Sequence, residues 1–194
     1  MQAKSIKGNS PEEIKCSHDK SFNANYKTDL DTTLHKINVV PQDIGRVVLN
    51  LINNAFHACA ERASAGSAET TSASSVHRTS AGSDHTSPAD SPGIPYEPTV
   101  SISTKKQGDR VEIRVKDNGP GIPESIKEKI FQPFFTTIPI AIGTTGQGTG
   151  LGLSLSYDIV TKGHGGTIDV KSLPAGQAGK GEKHTEFIIT LPVE

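Results

Sequence analysis

An aspartate, Asp117, lies in a turn that is rich in residues that control the backbone. The stretch from Val115 to Glu124 reads VKDNGPGIPE, so two glycines, two prolines and an asparagine accompany this one aspartate. Glycines lack a Cβ atom and let the backbone come close to a flat ligand, and a carboxylate can accept a hydrogen bond from an exocyclic amine. A plain Asp-Asn-Gly turn with a solvated acid fits the same residues and is the more common structure. The stretch alone therefore leaves a ligand site and a plain turn open.

Two asparagines and a histidine, Asn50, Asn54 and His57, follow one another at helical spacing. Intervals of four and three residues place their side chains on one face of a helix, with Asn53 beside them. Asparagine is a poor residue for a helix interior, because its amide competes for backbone hydrogen bonds. An asparagine oxygen suits a hard cation such as Mg²⁺ and leaves coordination sites for water and phosphate oxygens. A solvated polar stripe explains the pattern equally well, so both interpretations stay open.

A glycine-rich loop, GQGTGLGLS from Gly146 to Ser154, runs directly into an amphipathic helical pattern. Free N–H groups and the positive end of a helix dipole favour phosphate at such a junction. The loop matches neither the Walker sequence nor the dinucleotide-binding pattern of glycines. A flexible linker is the alternative, but the close phasing of the glycines against the helix favours a phosphate contact.

The elements that hold these residues mix strands and helices without a regular βαβ repeat. Alternating apolar residues predict strands, and apolar residues at helical spacing predict helices. Their order predicts an α+β fold, a two-layer sandwich in which helices cover one face of a mixed β-sheet. The predicted elements are a strand at 25–30, a helix at 40–62 with Pro41 in its first turn, a hairpin of strands at 99–104 and 110–116, a short helix after Pro123, a helix at 153–162 that ends at Gly163, and strands at 167–172 and 186–191.

Composition restricts the domain organisation. Hydrophobic residues make up 33% of the 194 residues and there is no Trp, so we expect part of the chain to lie outside any core. Residues 1–22 are polar and predict a linker, and residues 23–194 predict one domain. Within that domain the stretch 64–93 is rich in Ser, Ala, Thr and Gly. It cannot bury enough apolar area to offset its ordering entropy, so it predicts a disordered surface insertion.

Charge and hydropathy argue against several function classes. A net charge of −1 and a pI near 6.7 give no electrostatic basis for binding nucleic acid or an acidic membrane. No apolar run approaches the roughly 20 residues of a membrane span, and the N-terminus lacks the apolar centre of a signal peptide. Cys16 and Cys59 show no metal-ligand spacing and fit a reducing compartment. We expect a cytoplasmic domain without direct membrane contact, from a larger parent protein that could itself be tethered to a membrane.

Four segments resemble, in order, the motifs of the ATP-binding catalytic domain of sensor histidine kinases. LNLINNAFHA is similar to the asparagine box, DNGPGIP to the first glycine box, IFQPFFTT to the phenylalanine box and GTGLGLS to the second glycine box. GHGGTIDVKS and TEFIITLP resemble the closing strands, so the resemblance covers roughly Asn25 to Pro192. These kinases share a superfamily with gyrase, the heat-shock chaperone ATPase and the mismatch-repair ATPase. The resemblance implies their Bergerat-type ATP-binding fold.

The resemblance also implies a set of ATP contacts and a magnesium ligand. Asp117 would accept the adenine amino group, and Gly119 and Gly121 would shape the adenine pocket. Asn54 would bind Mg²⁺ and, together with Asn50, act in catalysis near the phosphates. The implied contacts with ATP are Asn50, Asn54, His57, Asp117, Gly119, Gly121, Ile122, Phe131, Phe134, Thr136, Thr137, Gly148, Thr149, Gly150, Leu151, Gly152 and Leu153.

The phenylalanine box leads into a segment that the resemblance implies is a mobile lid. Phe131, Phe134 and Phe135 would anchor that lid, although ordinary core aromatics fit these positions nearly as well. The family commonly places a lysine directly after FFTT, whereas this chain has Ile138 and then a longer lid. This departure motivates an alternative function, a nucleotide-binding module without transfer activity.

The residue at position 50 bears on the phosphoryl acceptor. Hydrolysing relatives place a glutamate there as general base, whereas the amide of Asn50 cannot take up a proton at neutral pH. This favours transfer of the γ-phosphoryl group of Mg·ATP to a protein histidine over hydrolysis. Strand-like sequence begins near Asn25 and leaves no room for a helical hairpin around His18. We therefore expect the acceptor histidine on a separate phosphoacceptor (dimerisation) domain, with a response regulator downstream.

Overall fold

The structure, a computed structural model, describes residues 14–15, 23–70, 96–137, 148–173 and 183–193. The predictions for His18, Ile138, the lid and most of the 64–93 insertion concern residues outside these ranges. All the predicted strands and helices have counterparts within them.

Six strands of the described residues form one mixed sheet in the order β1-β2-β3-β4-β6-β5. Strands β2 and β3 pair in parallel, and the other neighbours pair antiparallel. The predicted hairpin is confirmed, since β3 and β4 join through a turn in which Gly108 has a φ of 62°. The short β1 lies within the predicted linker 1–22, which is therefore not wholly without structure. The strands are β1 Ile14–Lys15, β2 Asn23–Leu30, β3 Thr99–Gln107, β4 Arg110–Asp117, β5 Thr167–Leu173 and β6 His184–Pro192.

The helices are α1 Pro41–Thr70, α2 Glu124–Lys127 and α3 Gly152–Asp158, and α3 continues as a π-helical turn over Ile159–Gly163. Helix α1 runs past its predicted end at Arg62, so the first residues of the predicted insertion are helical. The stretch ASAGSAET is rich in alanine, the best helix former, and this composition favours continuation of the helix. The helix after Pro123 and the helix end at Gly163 are confirmed.

The core lies between helix α1 and one face of the sheet. Val47, Leu51 and Ala55 of α1 are at most 3% exposed and pack against apolar residues of β3, β4 and β6. On the other face Arg114 forms ion pairs with Glu112 and Glu186. These charged side chains mark a face that contacts water, and the helices of the described residues cover only the opposite face, which confirms the two-layer α+β sandwich.

Candidate functional site

A cavity of about 290 Å³ opens between helix α1, the end of strand β4 and the loop before α3. Segments that are far apart in sequence supply its wall, and most of the predicted contacts meet there. The predicted residues that line it are Asn50, Asn54, His57, Asp117, Gly121, Ile122, Thr136, Thr137, Gly148, Thr149, Gly150, Gly152 and Leu153.

Helix α1 supplies one wall of this cavity. Asn50, Asn54 and His57 line it together, so the polar stripe predicted from their spacing faces the cavity. The Nδ2 of Asn50 donates to the Ser156 hydroxyl oxygen at 3.1 Å. A Cβ atom at Gly152 would fall 2.3 Å from Asn50 Oδ1, so α3 can approach α1 this closely only because residue 152 is a glycine. Asn50 is thereby fixed between the two helices.

Asp117 lies at the last position of β4 and is 4% exposed. Its Oδ1 accepts the backbone N–H of Gly119 at 2.8 Å. Burial raises the pKa of this carboxyl to about 6, while the backbone amides of Gly119 and Thr185 and the nearby His184 act in the opposite direction. A buried carboxylate is a strong acceptor for a further donor from a ligand, such as an aromatic amine.

The surroundings of Asp117 are apolar. Isoleucine, leucine and phenylalanine side chains from α2, α3, β6 and the loops line the cavity together with Asp117 and Thr185. A flat apolar slot with one convergent acceptor suits a heterocyclic base that carries an amino group. The apolar lining residues are Ile122, Ile126, Ile130, Phe135, Leu153 and Phe187.

The apolar slot beside Asp117 and the glycine loop contact helix α1 at different points along its axis. Gly119 packs against Ala58, whereas Gly152 packs against Asn50, nearer the start of the helix. A rise of about 1.5 Å per residue separates these two points by about 12 Å. The cavity is therefore long enough for a base at one end and phosphates at the other.

Two loops of the site are locked to each other. The backbone N–H of Phe134 donates to the Gly150 carbonyl oxygen at 2.9 Å. Gly150 has a φ of 68°, and a Cβ atom there would fall 2.4 Å from the Phe134 carbonyl carbon. Thr137 and Gly148, which border the undescribed residues 138–147, both line the cavity. The described residues on both sides of the predicted lid therefore belong to the cavity wall.

Four predicted ATP contacts do not line the cavity. Gly119 does not face the cavity, and its backbone N–H donates to the Asp117 carboxylate. A Cβ atom at this position would fall 2.8 Å from the Ala58 Cβ atom. Phe131 packs on the core beside Tyr157 and Phe187, as an ordinary core aromatic does. The other two, Phe134 and Leu151, point to solvent with 74% and 42% of their surface exposed.

Some cavity residues were missed from the sequence. Glu61 follows His57 at a spacing of four on α1, and this spacing could have revealed it. Thr185 lines the cavity because it pairs with Asp117 in the register of β4 and β6, which no local pattern shows. Other lining residues outside the predicted set are Asn53, Ala58, Pro120, Ile126, Ile130, Phe135 and Phe187.

The donor set of the polar end fits magnesium. The described residues contain no group of three His, Cys, Asp or Glu side chains able to hold a metal ion, so a zinc-type site is not built into this part of the chain. Amide oxygens fit a hard cation that takes most of its ligands from water and phosphate. Asn54 supplies such an oxygen in the cavity wall, while the Oδ1 of Asn50 packs closely against Gly152.

Residues 39–194 match the family model described as histidine kinase-, DNA gyrase B- and HSP90-like ATPase. The sensor histidine kinase ZraS of Salmonella typhimurium is 33% identical over 162 residues, which are 83% of this chain and 24% of that protein. The alginate biosynthesis sensor protein KinB of Pseudomonas aeruginosa is 42% identical over 94 residues, which are 48% of this chain and 14% of that protein. The chain thus spans about a quarter or less of these curated relatives.

A solved structure of the catalytic domain of histidine kinase ThkA shares the fold. It superposes with a TM-score of 0.55 at 24% identity, over 87% of this chain and 79% of that one. None of the described helices is long and apolar enough to cross a membrane. The family match covers most of the chain and includes all four motifs. The chain therefore belongs to the histidine kinase-, DNA gyrase B- and HSP90-like ATPase family, as an ATP-binding catalytic domain of the sensor histidine kinase type.

Proposed function

We propose that this chain binds Mg·ATP and transfers its γ-phosphoryl group to a histidine on a separate phosphoacceptor domain. The observation that carries the proposal is one cavity with a buried carboxylate, Asp117, at its apolar end and two amides, Asn50 and Asn54, at its polar end. This combination suits adenine and a triphosphate at the same time. The family membership of the chain supports the same assignment.

At the apolar end, Asp117 accepts the adenine amino group. Ile122 and Phe187 offer apolar surface to the purine ring, and Thr185 stands beside the carboxylate. The amine adds a donor to those that the protein gives Asp117, so the site favours a base with an exocyclic amine over one with a carbonyl in its place.

At the polar end, Asn54 would hold Mg²⁺ through its amide oxygen, and Asn50 would lie near the phosphates. The bound ion would neutralise charge on the phosphates and orient them. His57 lies on the same face of α1 and offers a ring N–H to a phosphate oxygen. Gly148 and Gly150 have positive φ values, so their N–H groups can approach the phosphates without interference from a Cβ atom.

The acceptor is a protein side chain rather than water. By the family resemblance, Asn50 stands where hydrolysing relatives place a general base, and its amide, which donates to Ser156, cannot take up a proton at neutral pH. Catalysis then depends on positioning and charge neutralisation, with the acceptor histidine as nucleophile.

The partners follow from this reaction. A phosphoacceptor domain supplies the histidine, and a response regulator receives the phosphoryl group in the cytoplasm. The relatives include sensor kinases, and histidine kinase ThkA has been solved in complex with the response regulator protein TrrA. We propose no nucleic-acid partner and no direct membrane contact for this domain.

Calorimetric titration with a non-hydrolysable ATP analogue tests the site, with and without Mg²⁺. We expect micromolar, Mg²⁺-dependent binding that Asp117→Asn weakens at least about tenfold, since a hydrogen bond to a charged acceptor is lost. Asp109→Asn, an exposed position in the β3–β4 turn, is the matched control and should bind as the wild type does. Unchanged affinity of Asp117→Asn would contradict the adenine assignment.

A second function, nucleotide binding without transfer, is favoured by Ile138 in place of the lysine common in the family. The two functions separate when the chain is mixed with a phosphoacceptor domain and γ-labelled ATP. Labelled acceptor histidine establishes transfer, whereas binding without any label establishes the second function. Phosphate release in the absence of an acceptor would instead indicate hydrolysis.

A further inference from the structure

Asn118, the residue after the predicted adenine ligand, connects three separate segments of the chain. Its Oδ1 accepts the backbone N–H of Thr99 at 2.8 Å, the Tyr96 hydroxyl at 3.1 Å and the Cys59 thiol at 3.5 Å. Its Nδ2 donates to the Glu97 carbonyl oxygen at 2.7 Å. One side chain thus ties the turn after β4 to helix α1 and to the segment that enters β3.

The main chain of Asn118 is held as well. Its N–H donates to the Thr99 carbonyl oxygen at 3.2 Å, and its carbonyl oxygen accepts from Arg62 Nη1 at 2.8 Å. The Arg62 guanidinium also lies over the Tyr96 ring, 4.5 Å from its centroid. Tyr96 is half-buried, and burial raises the pKa of its hydroxyl, so this group stays a hydrogen-bond donor.

These bonds start where the strand ladder ends. Asp117 is the last residue of β4, and it pairs with Val100 of β3 and with Thr185 of β6. The residues after it have no ladder partner, yet the Gly119 N–H must sit 2.8 Å from Asp117 Oδ1 to orient that carboxylate. Asn118 lies between the two, and its side chain reaches the segment that enters β3.

We propose that Asn118 is a positioning residue that sets the Asp117 carboxylate for the adenine amine and so determines base selectivity. This inference rests on the proposed function, because it assumes that Asp117 contacts adenine. Asn118 itself does not line the cavity, so it acts through the turn and not by touching the nucleotide. Without the hydrogen bonds of Asn118 the turn is no longer held in one conformation. The position of the Asp117 carboxylate relative to the adenine amine is then no longer fixed.

The test compares two nucleotides whose bases differ only at one edge. ATP carries an exocyclic amine and an unprotonated N1 where ITP carries a carbonyl and an N1–H group, while the ribose and the phosphates are the same. Affinities of the 194-residue chain for both are measured by calorimetry with Mg²⁺, in the wild type and in Asn118→Ala. We expect Asn118→Ala to reduce the preference for ATP over ITP by about tenfold and to leave the ITP affinity within about twofold, because only the contact with the amine is lost.

A purely structural role would give a different result. If Asn118→Ala weakens ATP and ITP by the same factor, or leaves the preference unchanged, the inference is overturned. Asn25→Ala, at an exposed position on β2, is the matched control and should keep the wild-type preference.

A milder variant decides the question if Asn118→Ala does not fold. Tyr96→Phe removes one donor to Asn118 Oδ1 and keeps the ring beneath Arg62. We expect it to reduce the preference by about threefold, since one neutral hydrogen bond is lost, and an unchanged preference would overturn the inference. Equal affinities of the wild type for ATP and ITP would instead refute the adenine assignment of Asp117. This outcome separates failure of the proposed function from failure of the role of Asn118.

Discussion

At the scale of single residues, Asp117 illustrates a conflict between folding and binding. It is 4% exposed, and the apolar cavity around it raises the pKa of its carboxyl to about 6. The folded chain without ligand therefore disfavours the charged form that a base amine needs. A ligand that donates to this carboxylate relieves the conflict, which explains why a buried acid can be useful here.

The raised pKa of Asp117 makes stability depend on pH in a definite direction. Between the ordinary pKa of 3.8 and about 6, the folded state binds more protons than the unfolded state. The free energy of unfolding should therefore fall as pH rises through this window, by roughly 3 kcal/mol for this group. Asp117→Asn removes this component, so its stability relative to the wild type should rise from pH 4 to pH 8. Urea unfolding at several pH values measures the difference, and a difference that does not change with pH would contradict the expectation.

Two glycines should respond in opposite ways to the addition of one methyl group. At Gly152 a Cβ atom would meet Asn50 Oδ1 at 2.3 Å, whereas at Gly45, in α1, it would meet nothing within 4 Å. Gly45→Ala should stabilise the fold by about 0.5–1 kcal/mol through helix propensity. Gly152→Ala should displace the Asn50 side chain and reduce ATP affinity about tenfold or more. Denaturant unfolding and calorimetry on both variants check this pair, and unchanged affinity in Gly152→Ala would show that Asn50 is not needed for binding.

At the scale of elements, two faces of helix α1 have different roles. Val47, Leu51 and Ala55 face the sheet, and Asn50 and Asn54 face the cavity. The helical period separates the two sets, so packing against the sheet fixes the direction in which the amides point. The helix is therefore both part of the core and one wall of the site.

Substitutions on α1 should separate these faces energetically. Leu51 is 0% exposed and Leu49 is 61% exposed. Leu51→Ala should destabilise the fold by about 2–5 kcal/mol, because it leaves a cavity in the core. Leu49→Ala should change stability by no more than about 0.5 kcal/mol. Urea unfolding measures both, and similar losses in the two variants would contradict the packing of α1 described above.

At the scale of the whole molecule, the cavity joins segments that the fold brings together from α1, β4, β6 and the loop before α3. A nucleotide that contacts all of them binds the folded state and has no site in the unfolded chain. Binding should therefore be visible as stability of the entire domain.

Mg·ATP should stabilise the domain against urea. At a concentration of 100 times Kd the expected gain is about 2.7 kcal/mol in the free energy of unfolding. ATP without Mg²⁺ should give less, since the phosphates then lack the ion that Asn54 would help to hold. Asp117→Asn serves as the control: with affinity at least about tenfold weaker, it should gain no more than about 1.4 kcal/mol at the same concentration. A gain of equal size in that variant would indicate that nucleotide binds elsewhere.

The sequence indicated many of the cavity residues because their spacing and turn composition are local patterns along the chain. Helical spacing singled out Asn50, Asn54 and His57 and a dense turn singled out Asp117, the family resemblance implied their roles, and all four line the cavity. The exceptions have physical reasons. Phe134 belongs to the phenylalanine box, yet a φ of 64° in the loop turns its side chain to solvent, which no motif specifies.

What the sequence determined by itself is the periodicity, the turn chemistry and the order of motifs, because these depend on neighbouring residues along the chain. These properties identified the α+β sandwich, the family and most of the cavity wall. The tertiary structure alone decided which distant groups meet. The register of β6 against β4 placed Thr185 beside Asp117, close helix packing set Gly152 against Asn50, and the entry to β3 brought Tyr96 to Asn118. Such contacts depend on register and packing between distant segments, and no local pattern of residues encodes them.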